Sequence, residues 1–104
     1  MYAVVRRYRT DSVADLFGRV TPELADSIPD QVGALLYAAV DIGDGDAMTV
    51  MLFPDESTAL AAGAVAAGME KRMGSAMRLE VGEVNRGPVV VGRARVGVLE
   101  PTKV

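Results

Sequence analysis

Residues 33–53 are the part of this chain that most narrows its fold. Gly33-Ala34-Leu35-Leu36-Tyr37-Ala38-Ala39-Val40-Asp41 reads as one strand and residues 47–53 as another, with Gly43-Asp44-Gly45-Asp46 between them. Gly and Asp tolerate the positive φ angles of short turns, so this spacing predicts an antiparallel hairpin. Ala34, Leu36, Ala38, Val40, Met48, Val50 and Leu52 share one wholly apolar face. Leu35, Tyr37, Ala39, Asp41, Thr49, Met51 and Phe53 share a mixed one. The apolar face is expected to lie under helices, leaving the mixed face to solvent or to a second subunit.

The other elements follow from their periods. Residues 2–9 alternate with period two and read as a strand. Val13, Leu16, Phe17, Val20, Leu24 and Ile28 recur at helical spacing after a cap at Asp11 or Ser12. Pro22 either kinks this helix or opens a second short one capped by Thr21, and Pro29 ends it. Pro54-Asp55-Glu56 opens another helix with Asp55 as its cap, and Ala62, Val65, Ala66, Met69 and Met73 form its core stripe. Residues 59–69 of that helix are apolar or Gly throughout, so Leu60 and the opposite alanines are expected to touch another element or a second subunit. Gly74 and Ser75 are expected to stop it. Residues 77–84 then read as a strand, Asn85-Arg86-Gly87-Pro88 as a turn, and residues 89–99 as a fifth strand.

This order predicts an α+β, ferredoxin-like βαββαβ domain with an added C-terminal strand: an antiparallel sheet carrying two helices on one face. One domain of residues 1–104 is expected, with 85–104 as a C-terminal strand extension. The sheet face opposite the helices is expected to hold Val4, Tyr8, Leu35, Tyr37, Met51 and Phe53, with Leu79 or Val81 from the fourth strand. Leaving these wet would cost roughly 25 cal/mol per Å² of apolar surface, so a homodimer through that sheet face is the physical expectation.

Composition removes several chemistries. The 104 residues include no Cys and no His. Thiolate nucleophiles, disulfides, imidazole bases and Cys/His metal sites are therefore excluded, and no metal or cofactor is expected. Ser12, Ser27, Ser57 and Ser75 have no His to activate them, and the Asp44/Asp46 turn lacks the Glu that a calcium loop needs. A net charge of −3, a pI near 4.8 and only five aromatic residues argue against nucleic acid. Arg6, Arg7 and Arg9 read as strand-edge charges rather than a phosphate track. The start MYAVVRRYRT lacks an apolar leader core, and no apolar run reaches the roughly 18 residues of a membrane span, so a cytoplasmic protein with no membrane partner is expected.

In pattern, residues 2–84 resemble the antibiotic biosynthesis monooxygenase-like members of the dimeric α/β-barrel superfamily. The resemblance lies in MYAVVRRYR, a helix, Gly33 before a Tyr37-bearing strand, Asp41-Ile42-Gly43-Asp44-Gly45 at the hairpin, Phe53-Pro54-Asp55-Glu56 before an Ala-rich helix, and Glu80-Val81-Gly82-Glu83-Val84. It implies two sheets apposed in a dimeric barrel, with a cavity in each protomer between sheet and helices or loops. It also implies a cofactor-free activity, if any, on a flat phenolic or enolisable substrate. The family's Trp is missing here and Asn85 falls after the fourth strand; the haem-degrading branch, which needs His, is excluded. The cavity is expected to be lined by Val4, Arg6, Tyr8, Tyr37, Met51 and Phe53. Within it Tyr37 would donate a hydrogen bond, and Arg6 or Arg78 would balance an anion. The competing reading makes Tyr37 a packing residue and Arg6 the partner of Asp41 or Glu80, in a non-catalytic ligand-binding or self-association module.

Overall fold

The computed structural model of the chain describes residues 1–18 and 31–93. Four strands, β1 (Tyr2–Thr10), β2 (Leu36–Gly43), β3 (Asp46–Phe53) and β4 (Leu79–Pro88), form one antiparallel sheet in the order β2-β3-β1-β4. Residues 13–18 are helical (α1), and the long helix α2 spans Glu56–Ala76. This is the ferredoxin-like α+β arrangement, with an open sheet. The Pro22 kink, the Thr21 cap and the Pro29 stop fall outside the described residues.

Local chemistry sets the boundaries. Asp44 and Gly45 link β2 to β3 with φ of 55° and 82°, the positive pair that a two-residue hairpin turn demands. A Cβ on Gly45 would run into the Thr10 carbonyl, so only glycine fits there. The Gly45 carbonyl in turn accepts the Thr10 N–H at 2.8 Å, tying the hairpin to the end of β1. At the start of α2 the Asp55 carboxylate accepts from the Thr58 N–H and hydroxyl, both at 2.8 Å, and from the Ser57 hydroxyl at 3.0 Å. These donors hold the Asp55 carboxyl below the usual carboxylate range.

Three boundaries differ from the sequence reading. Gly33 does not begin β2: it sits in a turn with φ 71°, after helical residues 31–32, and the strand starts at Leu36. Helix α2 runs through Gly74 and Ser75, whose hydroxyl donates to the Arg72 carbonyl, and ends at Ala76. Asn85-Arg86-Gly87-Pro88 is strand rather than turn, paired with Val5, Val4, Ala3 and Tyr2. β4 is an edge strand, where the missing N–H of Pro88 at its last position breaks no ladder. Of the expected fifth strand, residues 89–93 are not strand, Val90 and Val91 are about nine-tenths exposed, and residues 94–99 lie outside the described residues.

The two sheet faces are opposite to the sequence expectation. Tyr2, Val4, Arg6, Tyr8 and Thr10 share a face with Tyr37, Thr49, Met51 and Phe53 by register, and this face packs under the helices. Val4, Phe53, Val32, Ala59 and Ala62 are its buried core. The reason is volume. The inward surface of α2 is built from Ala59, Ala62, Gly63 and Ala66, so the large side chains that fill the space beneath it come from the sheet. The wholly apolar face is left bare: Ala3, Val5, Leu36, Ala38, Met48, Val50 and Leu52 are only partly buried, and Val40 is 44% exposed, although β1 and β3 are the central strands. On the outside of α2, Leu60 is 51% exposed, so no described element of the same chain covers it.

Candidate functional site

Large residues on the sheet and small ones on α2 leave a half-enclosed cavity of about 80 Å³ between them. Its floor is Arg6 and Tyr8 of β1, Tyr37 of β2 and Thr49 and Met51 of β3, and α2 roofs it with Ala62, Val65, Ala66, Met69, Glu70 and Met73. Leu16 and Phe17 of α1, with Val32 and Leu79, complete the wall. The enclosed space equals roughly three water volumes at about 30 Å³ each, enough for the head of a small molecule whose remainder lies in the opening.

The polar groups gather around Arg6. Its Nη1 is 3.6 Å from Glu70 Oε1, too long for a good hydrogen bond, and the two side chains are only 12% and 17% exposed. The same Glu70 oxygen accepts the Tyr8 hydroxyl at 2.8 Å. Arg6 Nε is buried with no acceptor at all. A buried donor left unpaired costs about 1–3 kcal/mol, more when charged. The guanidinium is therefore neutralised in charge but unsatisfied in hydrogen bonding. Gly63 lies above it: a Cβ at that position would sit 3.8 Å from Nη2, an ordinary van der Waals contact.

Both tyrosines of the floor are held protonated. Burial raises Tyr8 well above the ordinary phenol range, reinforced by its hydrogen bond to Glu70 and that carboxylate's charge. Burial alone pushes Tyr37 up to about 12. Tyr8 thus serves as a fixed donor to Glu70, and the Tyr37 hydroxyl is a second neutral donor on the cavity floor.

The expected cavity residues separate into two groups. Arg6, Tyr8, Tyr37 and Met51 come together on the lining, whereas Val4 and Phe53, 4% and 1% exposed, lie in the adjacent core. Arg78 is not part of the lining. It is exposed and bonded to Asp11 at 3.3 Å and Glu80 at 3.2 Å, which hold it firmly cationic. The partners weighed for Arg6 are engaged elsewhere, Glu80 with Arg78 and Asp41 with the Gly43 N–H. Glu70, the actual partner, is the residue that sequence reasoning missed. Its signal was the spacing Ala62, Ala66, Glu70, Met73, which continues the inward stripe of α2 past the apolar run. Among the described residues, no group of three or more Asp or Glu side chains is placed to hold a metal ion, and no helix is long and apolar enough to cross a membrane.

The sheet order, with helices packed on one face and a cavity between sheet and α2, defines a ferredoxin-like fold. Solved structures share it across most of their length. A dimeric ferredoxin-like protein from an uncultured marine organism superposes with a TM-score of 0.67 at 12% identity, over 91% of this chain and 100% of the other. SnoaB, a cofactor-independent oxygenase from Streptomyces nogalater crystallised as a point variant, gives 0.64 at 14% identity over 88% and 94%. HapK from Hahella chejuensis gives 0.63 at 20% identity over 91% and 99%. A candidate antibiotic biosynthesis monooxygenase from Chloroflexus aurantiacus J-10-fl gives 0.63 at 15% identity over 89% and 96%. No protein-family model and no curated protein matches the chain.

Proposed function

We propose that this protein binds a small organic ligand in the cavity beneath α2, with Arg6 as the anchor for a ligand oxygen and Tyr37 as a hydrogen-bond donor. The observation that carries this reading is the buried Arg6 Nε without an acceptor, beside an apolar space. Guanidinium donors match a carboxylate, phenolate or enolate oxygen, and the apolar walls suit the ring attached to it. Met51, Met69 and Met73 supply an adaptable lining for that ring. The protein would act as a homodimer, its bare apolar sheet face covered by a second copy. Supporting this, one structural neighbour is a dimeric ferredoxin-like protein. If catalytic, the protein acts without a cofactor on a flat phenolic or enolisable substrate, a reading supported by the fold it shares with SnoaB.

Calorimetric titration with benzoate and with a panel of hydroxyanthrone-like phenols tests the binding. Wild type is expected to bind at least one of them, and Arg6→Met to lose that binding by tenfold or more while remaining folded. Equal affinity in wild type and Arg6→Met would refute Arg6 as anchor. Oxygen uptake with the same phenols separates an oxygenase from a non-catalytic binding module: consumption lost in Arg6→Met supports the first, and silence across a panel that binds supports the second.

A further inference from the structure

Glu70 poses a difficulty for any anion on Arg6, because a carboxylate already faces that guanidinium. Its Oε1 lies 3.6 Å from Arg6 Nη1, and its side chain is 17% exposed. Two carboxylates against one guanidinium in an apolar space leave a negative charge uncompensated, and like charges at such range force one of them to take a proton. No other charged group lines the cavity among the described residues: α1 brings Leu16 and Phe17, β2 brings Tyr37, β3 brings Thr49 and Met51, and Leu79 comes from β4. On β1 only Arg6 and Tyr8 face Glu70, and on α2 Lys71 and Arg72 are exposed.

Building on the Arg6 reading, we infer that the cavity loads an organic oxyanion together with a proton, the anion docking on Arg6 and the proton going to Glu70. The proton comes from solvent, or from the ligand itself when it arrives as the neutral acid, so no covalent bond of the protein other than the new O–H is made. Tyr8 keeps the protonated Glu70 in place through its existing hydrogen bond. Loading is therefore favoured as pH falls and release as pH rises.

The test is calorimetric titration of benzoate in phosphate and in Tris, whose different ionisation heats report the protons exchanged. Wild type at pH 7 and above is expected to take up about one proton per benzoate, with affinity falling about tenfold per pH unit. Glu70→Gln preserves an acceptor for Tyr8 but cannot be protonated. It is expected to take up no proton, to bind with flat pH dependence, and at pH 8 to bind tenfold or more tighter. Wild-type binding that is flat with pH and exchanges no proton overturns the inference while leaving Arg6 as anchor, and needs no variant to be seen. Failure of benzoate to bind both wild type and Glu70→Gln overturns the inference, and the anchor reading falls with it when the phenols fail to bind as well.

Discussion

At the scale of single residues, Arg6 is a stability cost that the fold carries. A guanidinium that is 12% exposed, with its Nε unpaired and its carboxylate partner at 3.6 Å, contributes less than an apolar side chain of its size would. The double variant Arg6→Met with Glu70→Gln removes both charges and leaves Tyr8 an acceptor. It is expected to unfold in urea at higher concentration than wild type, by about 1 kcal/mol or more, while binding no benzoate. A loss of stability instead would make the pair structural. Gly45 is the opposite case. With φ 82° and the Thr10 carbonyl against the missing Cβ, Gly45→Ala should cost about 2 kcal/mol or more in the same measurement. This glycine was legible from the Gly-Asp-Gly-Asp run alone. The acceptor of Tyr8 was not, because it depends on which residue of a distant helix lands above the strand.

Among the elements, α2 is the one whose sequence and position tell different stories. Its cap at Asp55 and its alanine-rich inward stripe were readable, since both are local patterns. Which sheet face it covers was not. Period two fixes which side chains share a face, but the choice of face depends on volumes summed across two elements, and here the small α2 residues take the ringed face. Gly68 is exposed in the middle of this helix with nothing within 4 Å of a would-be Cβ. Gly68→Ala should therefore raise stability by about 0.5–1 kcal/mol in urea unfolding, without altering benzoate affinity. Gly63→Ala gains the same helix propensity and adds a methyl in van der Waals contact with Arg6, its Cβ 3.8 Å from Nη2. The two variants together separate helix stability from cavity shape.

For the whole molecule, the half-buried tyrosines Tyr8 and Tyr37 set an alkaline limit. Tyr37 is raised by burial from 10.0 to about 12, and Tyr8 is raised further. The folded state thus keeps protons that the unfolded chain loses. Their contribution is intact below pH 10 and declines as pH climbs towards the folded values, by about 1.4 kcal/mol per pH unit for each tyrosine. Urea midpoints should be level between pH 7 and 9 and fall steeply from pH 10 to 12; an unchanged midpoint at pH 11 would contradict the raised values of both tyrosines. The order of elements, and so the fold, followed from the sequence because each strand and helix carries its own period. The assignment of the sheet's faces, with rings and cavity towards the helices and Ala3, Val5, Ala38, Val40, Met48 and Val50 on the bare side, required the register and α2 together. That bare side is the apolar surface that the proposed second copy would cover. Sedimentation equilibrium at micromolar concentration should give about 22 kDa, twice the 10.9 kDa chain, and Val50→Asp should return it to a single chain. A wild-type particle of 10.9 kDa under the same conditions would contradict it.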